Sequence, residues 1–158
     1  MQLTRAADYA VRVMVALARE PRNGRASLAL LADSTEAPGS FLSKVLQSLA
    51  RAGLIESKRG YAGGFAISPA GRASTMRQVI EAIDGPIALN TCVAGDQHCS
   101  RSFTCPAHPV WVRAQRAMLL ELDSARISDL ASERVRGAVP QGEPAALVQC
   151  IFPCGSWR

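Results

Sequence analysis

No run of about 18 apolar residues occurs in the chain, so nothing in it reads as a membrane-spanning helix. No internal repeat is found, and no glycine-rich loop of the kind that cradles phosphates. Cys105 and His108 can be drawn as a thiol–imidazole pair, but no carboxylate is placed to orient it. These absences argue against an enzyme. The N-terminal stretch argues against a signal peptide: "MQLTRAADYAVRVMVALARE" carries Arg5, Asp8, Arg12 and Arg19 through its apolar positions and reads as an amphipathic helix. Without an export signal, and with five cysteines, an odd number, a disulfide framework is the weaker reading. Clustered cysteines in a cytosolic chain more often hold metal or respond to redox change. The expected location is cytoplasmic.

What is present is an ordinary soluble composition, 48% apolar and 20% charged, on 158 residues. That length buries a core without staples. The charge is unevenly placed. Met1 to Arg72 holds ten Lys/Arg against five Asp/Glu, a net of +5, whereas Ala73 to Arg158 holds eight of each. The basic excess therefore lies in the first half, as expected of a half that faces a polyanion.

Leu3, Ala7, Ala10, Met14 and Leu17 recur at helical spacing, which predicts a helix from Thr4 to Glu20, ended by Pro21, Asn23 and Gly24. Ser27 is placed to cap a short helix over "LALLADS". After a turn through Pro38, "SFLSKVLQSLARAG" sets Phe41, Leu42, Val45, Leu46 and Leu49 on one stripe, opposite Ser40, Ser43, Lys44, Gln47 and Arg51. "LIESKRGYAGGFAIS" reads as a β-hairpin with a basic, glycine-rich tip. "STMRQVIEAIDG" gives another helix stopped by Gly85. The order is that of a winged helix-turn-helix: mainly α, with a small β-hairpin wing. "PVWVRAQRAMLLELD" then reads as a longer amphipathic helix, with Trp111, Ala114, Met118 and Leu122 on one stripe. Such a helix outside the compact domain wants a partner, and a second copy of the chain is the simplest. The expected division is a DNA-binding domain over 1–85, a cysteine-rich loop over 86–108, a dimerisation helix and short last helix ("ISDLASERV") over 109–136, and a Pro- and Gly-rich tail over 137–158.

In the third helix Ser, Lys and Gln can reach base edges or flanking phosphates in a major groove. Lys58 and Arg59 at the hairpin tip suit phosphates or a narrow minor groove. The competing reading is a solvated helix face on a protein-interaction module that uses a winged fold. The segment "CVAGDQHCSRSFTCPAH" gathers Cys92, Cys99, Cys105 and both histidines in the pattern C-x6-C-x5-C-x2-H. Thiolates with a histidine suit zinc or an iron–sulfur cluster. Zinc sites usually draw on a tight C-x2–4-C knuckle, and these wider gaps favour a loop around a larger object. His108, one turn after Cys105, is the better ligand candidate, and His98 the poorer. Cys150 and Cys154 in the tail receive no role. A zinc- or thiol-redox-responsive regulator without a cluster stays open at this point.

"MQLTRAADYAVR", "FLSKVLQSLARAGLIESKRGYAGGF", "IEAIDGPIALNTC" and "CPAHPVW" together resemble the Rrf-type winged-helix transcription regulators, in their IscR-, NsrR- and RirA-like, iron–sulfur-binding branch. The resemblance spans Met1 to Ala131. It implies a bacterial, homodimeric regulator that binds a double-stranded DNA operator and is commonly a repressor. It also implies a 2Fe–2S or 4Fe–4S cluster that senses nitric oxide, redox or iron and cluster status. The resemblance assigns the protein thiolates to Cys92, Cys99 and Cys105. The fourth ligand falls on His108 by the IscR-like pattern, or on Asp8 of the partner subunit by the NsrR-like pattern. DNA contacts carried over are Ser40, Phe41, Ser43, Lys44 and Gln47 in the helix and Arg59, Tyr61, Gly63 and Gly64 in the wing. Two departures stand out: the wing reads "RGYAGGF" where many relatives have a proline and a third glycine, and position 43 is Ser where some carry an acidic residue.

Overall fold

The structure is a computed structural model that describes residues 3–21, 24–60, 63–94 and 99–132. Helix α1 (Arg5–Arg19) buries Ala7, Ala10, Val13, Met14, Leu17 and Ala18. Thr4 caps it by accepting from the Ala7 N–H at 3.2 Å. The Thr4 N–H and hydroxyl donate in turn to the Asp84 carboxylate, at 3.2 and 2.6 Å. Helix α2 (Leu28–Thr35) starts at the predicted Ser27 cap, and the turn after it runs through Glu36 in the left-handed region, φ 55°. Helix α3 (Gly39–Arg51) follows from Pro38 and buries Leu42, Val45, Leu46 and Leu49. Burying each such side chain contributes about 1.5–3 kcal/mol, so this stripe sets which face of α3 is left outward. Phe41 departs from the expected stripe. It lies at the stripe's edge, 38% exposed, with its ring edge-on to Tyr9 at 5.8 Å.

The wing pairs β1 (Ile55–Lys58) with β2 (Gly64–Ile67) in antiparallel register, Ile55 opposite Ile67 and Lys58 opposite Gly64. Ala26, just before α2, extends this ribbon by exchanging two 2.9 Å backbone hydrogen bonds with Phe65. Two glycines of the tip are steric requirements. A Cβ on Gly63 would collide with the carbonyls of Lys58 and Gly60, and Gly64 has φ +131°.

The sequence reading did not foresee α4 (Pro69–Ala73), a short helix capped by Ser68. The Ser68 hydroxyl accepts from the Gly71 N–H at 2.9 Å and donates to the Gly53 carbonyl at 2.6 Å, so this buried polar group is satisfied. Helix α5 (Met76–Asp84) opens with a Thr75/Gln78 capping box and stops at Gly85, φ 78°. After the cysteine segment, α6 (His108–Ser124) runs for 17 residues without burying one of them. Helix α7 (Ile127–Ser132) turns back instead. Ile127 is fully buried in the main core, and the Ile127 N–H donates to the Ser74 carbonyl at 3.0 Å. The main core thus joins α1, α2, α3, the wing, α5 through Val79, and α7. A smaller cluster of Ala7, Ile80 and Ile87 receives Met118, Leu119 and Leu122 of α6. No helix among the described residues is long and apolar enough to cross a membrane.

Candidate nucleic-acid interface and cysteine segment

Because α3 turns its leucines inward, Ser40, Lys44 and Gln47 are exposed, Phe41 is partly so and Ser43 is half-buried. The helix begins at Pro38 without a side-chain cap, which leaves backbone N–H groups for an incoming anion. Lys58 and Arg59 are exposed at the hairpin tip, beside Gly63 and Gly64, while Tyr61 lies outside the described residues. Among the described residues no carboxylate pairs with Lys44, Lys58 or Arg59. Their charge is therefore not neutralised by any described carboxylate. Recognition helix and wing tip together expose cations, small hydroxyls and an amide.

Asp8 is not idle on α1. Its carboxylate meets Arg12 at 2.9 Å, and the Arg12 guanidinium lies 5.9 Å over the Tyr9 ring, which in turn meets Phe41. A ligand candidate on α1 and a contact candidate on α3 are thus joined through two side chains, on a surface where both members of the ion pair stay about half exposed.

The cysteine segment is built from short turns. Cys92 sits in a 3-10 turn (Thr91–Val93) started by Asn90, whose side chain accepts from the Thr91 N–H at 2.8 Å. Beyond residues 95–98, which include His98 and are not described, the chain closes on itself. The Cys105 N–H donates to the Arg101 carbonyl at 2.8 Å, and the His108 N–H to the Cys105 carbonyl at 3.1 Å. Cys92, Cys99 and Cys105 are half-buried free thiols. Among the described residues no three His, Cys, Asp or Glu side chains converge on one point that could hold a metal ion. The chain alone therefore does not bring Cys92, Cys99, Cys105, His108 and Asp8 into one cage. His108 is nonetheless unusual: its Nδ1 is buried and has no hydrogen-bond partner. A buried polar atom left so costs about 1–3 kcal/mol, and such orphans call for a missing partner. Cys150 and Cys154 lie outside the described residues.

Cys92 lines an open groove of about 420 Å³ with Val93 and with Val112, Gln115 and Leu119 of α6. Gln115 had no part in the sequence reading. Its side-chain amide donates to the Ile87 carbonyl at 2.6 Å and accepts from the Leu89 N–H at 2.8 Å. At the far end of the groove Arg77 of α5 donates to Asp123 of α6 at 3.0 Å and to Glu81 at 3.1 Å. Those hydrogen bonds, to Asp123 first, hold the guanidinium even further above its ordinary value. Around α6, Val110, Trp111, Val112 and Leu120 are between 39% and 59% exposed, Val112 and Leu120 at the rim of that groove, and Phe103 in the preceding loop is wholly exposed. Large apolar side chains gathered in water on one helix mark an interaction surface.

Comparison with known proteins agrees with this architecture. The profile of the Rrf2 family, described as an iron-dependent transcriptional regulator, matches residues 3–133. The NsrR regulator of Bacillus licheniformis is 30% identical over 131 residues, covering 82% of this chain and 92% of its own. The solved structure of CymR, the global cysteine regulator of B. subtilis, matches with a TM-score of 0.68 at 26% identity, over 84% of this chain and 97% of that one. IscR of T. potens shares the fold, with a TM-score of 0.68 at 21% identity, over 87% of this chain and 93% of its own. The family's members are transcription regulators and not enzymes, in line with the sequence reading. By its winged helix-turn-helix and by the family match over residues 3–133, this protein belongs to the Rrf2 family of DNA-binding transcription regulators.

Proposed function

We propose that the protein is a homodimeric, iron–sulfur-cluster-dependent transcription regulator, acting as a repressor, with Cys92, Cys99, Cys105 and His108 as the ligands. The observation that carries this reading is the orphaned Nδ1 of His108, one helical turn after Cys105 at the head of α6. An imidazole nitrogen, buried and unpartnered, has the chemistry of a metal ligand, and three free thiols on the adjoining turns complete a donor set soft enough for iron and sulfide. His108 is favoured over Asp8 because the Asp8 carboxylate already has a partner in Arg12. When bound, the cluster supplies an iron held less firmly by imidazole than by thiolate, and hence a site open to nitric oxide, oxygen or iron withdrawal.

The remaining work falls to the chain's own residues. Lys44 and the open N-terminus of α3 neutralise phosphates in the major groove, Ser40 and Gln47 address base edges, and Arg59 at the glycine tip meets a backbone phosphate. The exposed apolar side chains of α6, Val110 and Leu120 among them, pack against a second copy, which sets two recognition helices at a spacing that must meet half-sites about 34–36 Å apart. The cysteine segment lies between winged unit and dimer helix, so a change in its order resets that spacing. A shift of a few kcal/mol between two dimer geometries is enough to alter operator occupancy.

The test compares wild type with a Cys92→Ala, Cys99→Ala, Cys105→Ala variant in anaerobic operator binding, before and after nitric oxide. The reading predicts that only wild type changes affinity on exposure; equal behaviour of the two sinks it. One observation favours a second reading. A structure of Staphylococcus aureus CymR is described as an oxidised form, which supports thiol oxidation without a cluster as the signal here. That reading predicts a response to peroxide in protein that contains neither iron nor sulfide.

A further inference from the structure

We infer that Gln115 is a positioning residue for the first thiolate: it locks the chain entering Cys92 onto the helix that begins at His108. The inference rests on the cluster reading proposed above. The carboxamide grips the backbone on both sides of Ala88, donating to the Ile87 carbonyl at 2.6 Å and accepting from the Leu89 N–H at 2.8 Å. A side-chain amide offers one donor and one acceptor in a plane, the pattern a neighbouring β-strand would present. Both bonds are partly buried, so their loss leaves a backbone carbonyl and N–H without partners, which water only partly replaces.

What makes this clamp functional is where it stands. Gln115 lies seven residues after His108, two turns along the same face of α6, or about 10 Å at 1.5 Å per residue. Leu89, its acceptor-side partner, lies three residues before Cys92, and the Cys92 turn packs along α6 beside Val112 and Gln115. One side chain therefore fixes the register between the segment that carries the first thiolate and the helix that carries the imidazole. Ile87 is buried against Ala7 and Ile80, which ties the clamp to the winged unit as well. Residues that orient ligands without touching the metal typically change metal affinity by about 10–100-fold when altered.

The experiment uses the full-length protein carrying Gln115→Leu, which keeps the bulk in the groove and deletes both bonds, and Gln115→Ala as a second variant. Two quantities are read: amide exchange at Leu89 in cluster-free protein, and the rate at which a chelator removes iron from anaerobically reconstituted protein. Losing the clamp is expected to speed Leu89 exchange by about five- to tenfold, in keeping with one modest hydrogen bond. It is expected to speed iron release by about tenfold or more, with thermal midpoints of the cluster-free variants near that of wild type. Faster Leu89 exchange together with wild-type iron release would overturn the inference, because the clamp would then be merely structural. Wild type that takes up no iron and no sulfide would instead bring down the cluster reading, and this inference with it.

Discussion

The winged unit and the segment from Cys92 through α6 are stabilised on different terms. In the former, α1 and α3 bury a continuous stripe each, and even the last short helix returns Ile127 to full burial. In the latter, α6 is the longest helix described, has no fully buried residue, and touches the rest through Gln115, Asp123 and three partly buried apolar side chains. Most helical stability comes from packing of an amphipathic face, and α6 has less of that packing within its own chain than α1 or α3. The contrast teaches that the fold is closed within the first unit and left open in the second.

The strongest way to break the comparison is to show that both regions respond alike to truncation. Leu46→Ala, in the closed unit, should lower the free energy of unfolding by about 2–5 kcal/mol in a denaturant melt. Leu120→Asp, on the exposed face of α6, should leave that melt of the isolated chain almost unmoved. It should weaken self-association by about 100-fold in sedimentation equilibrium, the scale of a modest hot spot. If Leu120→Asp unfolds the chain, α6 belongs to the closed core after all.

A smaller effect sharpens the account of the closed unit. A Cβ on Gly71 would fall on the Leu54 carbonyl, so Gly71→Ala should cost about 1–3 kcal/mol by forcing α4 away from β1. An unchanged midpoint would mean that α4 is free to lift. The smallest expected effect concerns the reader's surface. Arg59→Ala should reduce the salt dependence of operator binding by about one unit of slope, with little change in sequence preference. A loss confined to one base pair would instead assign Arg59 to base readout.

How legible all this was in the sequence depends on whether the signal was local. The Thr4 to Glu20 helix, the Ser27 cap, the Pro38 entry, the hairpin and the Gly85 stop rest on spacing and on residues with strong conformational preferences, and the structure has them. Helix α4 escaped because five residues with a glycine in the middle, "PAGRA", carry no period; tertiary packing on Leu54 holds it. Phe41 was placed on the buried stripe because hydrophobicity alone cannot tell the stripe's edge from its centre. Gln115 escaped for the opposite reason. A glutamine on an amphipathic helix reads as a solvated position, and only the approach of residues 87–89 from a distant part of the chain gives it partners. The family and its fold were visible in motifs. The proposed ligands were visible as residue types, but which nitrogen or oxygen lacks a partner is a tertiary fact, seen at His108 and at the Asp8–Arg12 pair.

The central claim is that the open region is completed by a cluster held through three cysteines and His108. Anaerobic purification from iron-replete cells, followed by a visible absorption spectrum with iron and sulfide counts per chain, tests it most directly. The account predicts a coloured protein with about two irons and two sulfides per chain, and loss of both in His108→Ala. A colourless wild-type protein without sulfide would contradict it.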